Sequence, residues 1–297
     1  RRELLKTMGA GALATALGGQ MLVNPALAST PSAAPKPLKA AGAPYNILFI
    51  LTDQERHFRP DELPRGYRLP AHERLAKRGI VFENHRINSC VCTSSRSVIY
   101  TGLHIQQTKM FDNANIPWMQ SMSTEIKTLG HLLREAGYYT AYKGKWHLTR
   151  EFETVNKLEA PEKIFTREME AYGFSDYLGV GDIIAHTQGG YLHDGMIAAA
   201  AASWLRGKAV ELAQQKLPWF LVNPHDVMFY DTDKPGKPVQ GKNALAHLAG
   251  DPAHAMYAKQ WDVKLPVSFS QAIDGPGRPA AHTDLTMGND AFTGPIP

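Results

Sequence analysis

Cys92 and Arg96 frame a short stretch, Cys92-Thr93-Ser94-Ser95-Arg96, that could do chemistry. It lies between an extended segment, Ile80 to Asn84, and a helix start read over Ser94 to Leu103. A cysteine at a loop-to-helix junction gains thiolate character from the helix N-terminus, and an arginine one turn later adds positive charge. A reactive group or an anion suits such a place. On these residues alone a small buried thiol beside a surface arginine is an equally open reading, because short motifs recur by chance. Three further sets of residues change the weighing. Asp53 closes the apolar run Tyr45 to Thr52 and is followed by Gln54. Lys145 and His147 stand in Gly144-Lys145-Trp146-His147, and His225 stands in Pro224-His225-Asp226 after the apolar run Trp219 to Asn223. A carboxylate and an amide oxygen suit a hard divalent cation. A lysine is a compact donor for a tetrahedral anion, and a histidine moves protons near neutral pH. Each also has a plain reading, respectively a strand-end cap, a surface lysine, a packed histidine and a core histidine capped by Asp226.

The elements that must position these groups are legible in outline. Tyr45 to Thr52 is predicted as a buried central strand, with Asp53 at its C-terminal end, where an open α/β sheet places its site. Leu69 to Gly79 is predicted as a helix, with Pro70 in its first turn and Gly79 at its end. A second helix is predicted from Ser123-Thr124-Glu125 to about Ala136, with Gly137 as its cap. Tyr138 to Lys143 follows as a strand, Met196 to Gln214 as an Ala-rich helix, and Trp219 to Asn223 as another short strand. Helices alternating with short apolar strands imply an α/β fold with a mostly parallel central sheet sandwiched by helices. The tail from about Lys234 is rich in Pro and Gly, and is read as an active-site loop or a poorly ordered segment.

Taken in order, Asn46 to Gln54, Cys92 to Arg96, Thr101-Gly102-Leu103-His104, Thr128 to Tyr138, Gly144 to His147 and Phe220 to Asp226 resemble the type I sulfatases, a branch of the alkaline phosphatase superfamily. The resemblance runs from about residue 44 to about residue 233. It implies an alkaline phosphatase-like fold and sulfuric ester hydrolysis. It implies that Cys92 is oxidised to formylglycine, whose hydrate attacks sulfur and later expels sulfate. Cys90 has Ser94 rather than an arginine four residues on, so Cys92 is the match. Ser94 departs from the Pro usual at that place. Arg96 would orient the formylglycine, Lys145 would contact it and the sulfate, and His147 would hydrogen-bond one of its hydroxyls. His225 would contact sulfate and protonate the leaving alcohol. Asp53, Gln54 and the modified Cys92 would hold a divalent metal, Ca²⁺ by family expectation, that neutralises charge. Gln54 replaces a carboxylate common in the family and also occurs in the phosphonate monoester and phosphodiester hydrolases of the superfamily. That activity is the alternative, and a non-catalytic fragment is a third reading. Asp226 is left unassigned, and His104, His131, His186 and His193 are read as ordinary loop or helix residues.

Length and composition fit this frame. The chain has 297 residues, 43% hydrophobic and 20% charged, with formal net charge +4. That is enough for one large α/β domain. No Lys/Arg run with interleaved aromatics supports nucleic-acid binding. The two cysteines are too close in sequence for an unstrained bridge. Arg1-Arg2 with Leu4-Leu5-Lys6, the apolar run Met8 to Val23 and Ala26-Leu27-Ala28 have the layout of a twin-arginine export signal. The expected organisation is a signal peptide over residues 1–28, a linker over 29–44 and the N-terminal portion of a sulfatase catalytic domain over 45–297. The corresponding compartment is periplasmic or extracellular. The implied partners are a small-molecule or carbohydrate sulfate ester, a formylglycine-generating enzyme and the twin-arginine export machinery. Family members usually bring further metal ligands and a second lysine beyond this length, so the chain is expected to lack the C-terminal part and, alone, to bind metal weakly and be inactive. The loops 105–122, 150–195 and 226–297 are the candidates for choosing the alcohol.

Overall fold

The computed structural model describes residues 44–55, 57–59, 62–152, 158–179, 181, 189–215, 217, 219–221, 237, 239–240, 255–263 and 270–293. Apart from Pro44 they belong to the unit Tyr45–Pro297. Four short strands form its sheet, namely β1 (Ile47–Leu48), β2 (Tyr139–Lys143), β3 (Ser175–Leu178) and β4 (Trp219–Leu221), in the order β1-β4-β2-β3. Ile47 pairs with Phe220, Tyr139 with Trp219 and Ala141 with Ser175, and every pairing is parallel. Parallel neighbours need crossover connections, and helices supply them here. The helices are α1 (Pro70–Ala76), α2 (Cys92–Thr101), α3 (Ile105–Thr108), α4 (Leu129–Glu135), α5 (Pro161–Ala171), α6 (Gly189–Arg206), α7 (Lys208–Gln214) and α8 (Ala281–Thr293). The expected parallel α/β architecture is therefore present.

β2 is the organising strand, because successive side chains of a strand point to opposite faces and both of its faces are covered. Tyr142 enters a cluster with Tyr100 of α2, Trp146, Met169 of α5, Tyr172 and Phe174, against which Leu129 and Leu133 of α4 pack. Ala141 enters the other cluster, with Trp204 of α6 and Ala209 and Leu212 of α7. The first cluster has an aromatic centre. Tyr100 stacks on Trp146 at 5.1 Å, Trp146 meets Tyr172 at 5.0 Å, and Tyr142 meets Phe174 edge-on at 5.2 Å. Such ring pairs add directional preference to area burial. Gly130 lets α4 approach this cluster, since a Cβ there would come within 2.5 Å of the Gly173 carbonyl oxygen.

Several expectations change. Only Ile47–Leu48 of the 45–52 run is strand, and it lies at an edge of the described sheet rather than in its centre. Ile47, Phe49 and Leu51 pack on the aromatic cluster, whereas Leu48 and Ile50 are 48% and 55% exposed. A continuous apolar run thus behaves as a one-sided strand here. Ile80 to Asn84 is not strand, and Phe82 is 74% exposed. α4 starts at Leu129 rather than near Ser123, because Thr128 is the better cap. Its hydroxyl accepts from the Gly130 N–H at 3.1 Å and donates to the Tyr172 carbonyl at 2.5 Å. The Ala-rich helix begins earlier than predicted and divides at Gly207 into α6 and α7. α5 and β3 were not predicted. Within the Pro/Gly-rich tail, α8 takes up Asp284 and Asp290. No helix among the described residues is long and apolar enough to cross a membrane.

Candidate active site

The site grows from the first turn of α2. Val91 is the extended N-cap, its carbonyl accepts the Ser95 N–H at 2.9 Å, and Cys92 is the first helical residue. One turn on, Arg96 is only 4% exposed. Its Nη1 donates to the Lys145 carbonyl at 2.9 Å and its Nη2 to Asp53 Oδ2 at 2.8 Å. Lys145 Nζ lies 3.2 Å from the same Oδ2, and Cys92 Sγ lies 3.6 Å from Asp53 Oδ1. Asp53, Cys92, Arg96 and Lys145 therefore converge although they come from three separate segments. Burial opposes charge on Arg96, but Tyr100, Tyr142 and Asp53 around it hold its pKa above the ordinary value. A buried guanidinium with a carboxylate at hydrogen-bond distance stays charged.

Backbone geometry completes the arrangement. Gly144 has φ +96°, which lets the chain leave β2 in a turn that brings Lys145 round to Asp53. The Lys145 carbonyl also accepts from the Tyr142 hydroxyl at 2.5 Å, and Tyr142 is in turn 2.8 Å from the Tyr100 hydroxyl. Burial pushes the Tyr142 phenol well above its ordinary pKa, so it remains a donor. His147 is buried and lies in the left-handed region at φ +61°, as does Gln54 at φ +49°. A non-glycine residue holds that conformation only when its surroundings impose it. The Thr93 hydroxyl donates to the His147 carbonyl at 2.6 Å, and His147 Nε2 is 3.4 Å from Asn115 Oδ1.

Of the residues predicted from sequence, Asp53, Cys92, Arg96 and Lys145 share direct contacts, and His147 is tied to α2 through Thr93. Gln54 follows Asp53 and is exposed. His225 and Asp226, like His186, the predicted signal (1–28) and nearly all of the linker, lie outside the described residues. His131 serves in the α4 cap, where its Nδ1 accepts the Thr128 N–H at 3.1 Å, and His104 caps α3. Thr93, Tyr100, Asn113, Asn115 and Tyr142 support the site without having been singled out. The Asn113-Ala114-Asn115 spacing was the one local signal available, and Tyr100 and Tyr142 gave none, their bond to each other joining residues 42 positions apart.

The donors fit a hard divalent cation in kind and only partly in number. Asp53 and Gln54 offer oxygens beside Cys92, but no group of three or more His, Cys, Asp or Glu side chains capable of holding a metal exists among the described residues. A Ca²⁺ ion takes six to eight oxygens. The Asp53 carboxylate is meanwhile matched by two cations.

The sulfatase family model matches residues 45–260. Choline-sulfatase of Rhizobium meliloti is 29% identical over 205 residues, covering 61% of this chain and 38% of that protein. Arylsulfatase K of Gallus gallus is 27% identical over 217 residues, covering 70% of this chain and 37% of that protein. The chain thus spans under two fifths of the length of these relatives. The solved structure of a yidJ sulfatase from Bacteroides fragilis aligns with TM-score 0.46 at 21% identity, covering 63% of this chain and 45% of that one.

Proposed function

The chain belongs to the sulfatase family, and from that premise we propose that it contributes the nucleophile and anion-binding part of a site that hydrolyses a sulfate monoester. The observation that carries this reading is the convergence of Cys92, Arg96 and Lys145 on the buried carboxylate of Asp53. The active form carries formylglycine at position 92, whose hydrate supplies the attacking hydroxyl. Asp53 and Gln54 are the described residues that would hold a divalent cation, Ca²⁺ by resemblance, and such a cation acidifies a hydroxyl and neutralises ester charge.

The chain's own groups have distinct tasks. Arg96 is fixed by Asp53 and the Lys145 carbonyl, so it holds residue 92 in place at the start of α2. Lys145 presents an ammonium beside Asp53 and is suited to a tetrahedral anion. His147, tied to the first turn of α2 through Thr93, holds or accepts a proton. His225 serves as general acid to the leaving alcohol, a role typically worth about 10²–10⁴-fold in rate. The substrate is a small-molecule or carbohydrate sulfate ester. A formylglycine-generating enzyme matures Cys92, and the twin-arginine machinery delivers the chain to the periplasm or beyond.

The test is the mass of the tryptic peptide Ile87–Arg96 from protein made in its native host, joined to assays with aryl sulfate and aryl phosphonate esters. We expect an aldehyde or its hydrate at position 92 and faster sulfate hydrolysis. Two intact thiols would remove the nucleophile and sink the reading, and a preference for phosphonate would redirect it to that branch of the superfamily.

A further inference from the structure

Residues 113–115 bind both catalytic segments at once. The Thr93 N–H, in the first turn of α2, donates to Asn113 Oδ1 at 3.2 Å. The Ala114 N–H donates to the Thr93 hydroxyl oxygen at 3.1 Å, and that hydroxyl donates onward to the His147 carbonyl at 2.6 Å. Asn115 Oδ1 then meets His147 Nε2 at 3.4 Å. Thr93, Ala114 and His147 are buried, so these bonds form away from bulk water. His147 is gripped at its backbone by Thr93 and at its ring by Asn115, and its positive φ marks a residue held by its surroundings.

The chemistry of the contact fixes a proton. An amide oxygen carries no hydrogen, so the bond to Asn115 Oδ1 requires the proton on His147 Nε2. In the neutral ring Nδ1 is then the nitrogen able to accept a proton. We propose that Asn115 is a positioning residue that sets the tautomer and orientation of His147, acting on the reaction through His147 rather than by touching substrate. This rests on the sulfatase reading for its catalytic consequence, but not for its structural one.

The test uses the full chain labelled with ¹⁵N-histidine, with the His147 resonances assigned from H147Q. Wild type is expected to show the Nε2–H tautomer at His147. Asn115→Ala is expected to shift the tautomer ratio, while Asn115→Asp keeps the acceptor oxygen, keeps the tautomer and raises the His147 pKa through its negative charge. On a sulfate ester, N115A should lower kcat by about 10-fold with KM little changed, since a group acting only through the proton-transfer residue leaves ground-state binding intact. If N115A does not fold, the N115D titration decides, and an unchanged His147 pKa there overturns the proposal. An unchanged His147 tautomer in folded N115A overturns it as well. A wild type that keeps both thiols and does not turn over, whose N115A variant still shifts the tautomer, would sink the sulfatase reading and leave this inference standing.

Discussion

Two regions meet at Asp53, and they are supported very differently. On the β2 side, residues 141–149 are all buried, and Lys145 and His147 flank Trp146 in the middle of an aromatic cluster. On the β1 side the strand is two residues long, Leu48 and Ile50 are about half exposed, and Ile80, Val81 and Phe82 are 81%, 54% and 74% exposed. The groups read as anion ligands thus stand on a packed floor. Asp53, read as a metal ligand, is held to it by Arg96 and Lys145. Close packing fixes a side chain to a fraction of an ångström, whereas an edge strand with one covered face does not. The same site therefore has a preorganised half and a half whose geometry depends on its ion pairs.

The sharpest way to break the comparison is to hollow out the floor. Trp146→Ala should cost about 3–5 kcal/mol in urea unfolding, the range for deleting a buried tryptophan. A loss under about 1 kcal/mol would show that the cluster is not tightly packed. Arg96→Met should cost a comparable ~3–5 kcal/mol, because it leaves the Asp53 carboxylate buried with half of its compensation. Asp53→Asn on top of Arg96→Met should recover part of that loss, and a strictly additive double variant would exclude the coupling.

The far side of β2 offers a pH test. Lys143 is buried against Trp204 and donates to the Asp176 carbonyl, and burial lowers its pKa from 10.5 to about 8. Between those values the unfolded chain binds the extra proton, so stability should rise as pH goes from about 8 towards 10. Tyr139, partly buried and donating its hydroxyl to Asp176 at 2.8 Å, is pushed up to about 12 by that burial and by the carboxylate. Its effect has the opposite sign, since the unfolded phenol ionises first, and stability should fall above about pH 10. Lys143→Met should flatten the rise and keep the fall, measured by unfolding at stepped pH.

Smaller effects refine the contrast. Ser94 is fully buried and its hydroxyl has no hydrogen-bond partner among the described residues. An orphaned buried hydroxyl is costly, so Ser94→Ala should stabilise by up to about 1 kcal/mol. Destabilisation of that size would mean the hydroxyl has a partner. On the open side Leu48→Ser should change stability by no more than about 0.5 kcal/mol, as for an exposed position.

The candidate residues could be picked out locally, and the order of the motifs along the chain, rather than any one of them, weighed against their plain readings. Cys92 and Arg96 lie one helical turn apart, and Lys145 and His147 flank one tryptophan just past a strand. The parallel α/β class followed from alternating apolar runs and helical stretches. Strand position was not legible, since a continuous apolar run such as 45–52 is compatible with a central strand or with an edge strand of one covered face. The start of α4 was not legible either, because Ser123 and Thr128 are both good caps and the choice falls to the Tyr172 carbonyl, a distant partner. What the sequence by itself determined is which chemical groups are present and which lie within a turn of one another. Only the tertiary structure decided that Asp53 meets both Arg96 and Lys145, that Tyr100 and Tyr142 hold the Lys145 carbonyl, and that Asn115 reaches the His147 ring. Arg96 and Asp53 are 43 positions apart, Tyr100 and Tyr142 42, and Asn115 and His147 32, and chain geometry brings such residues together only through the packing of whole elements.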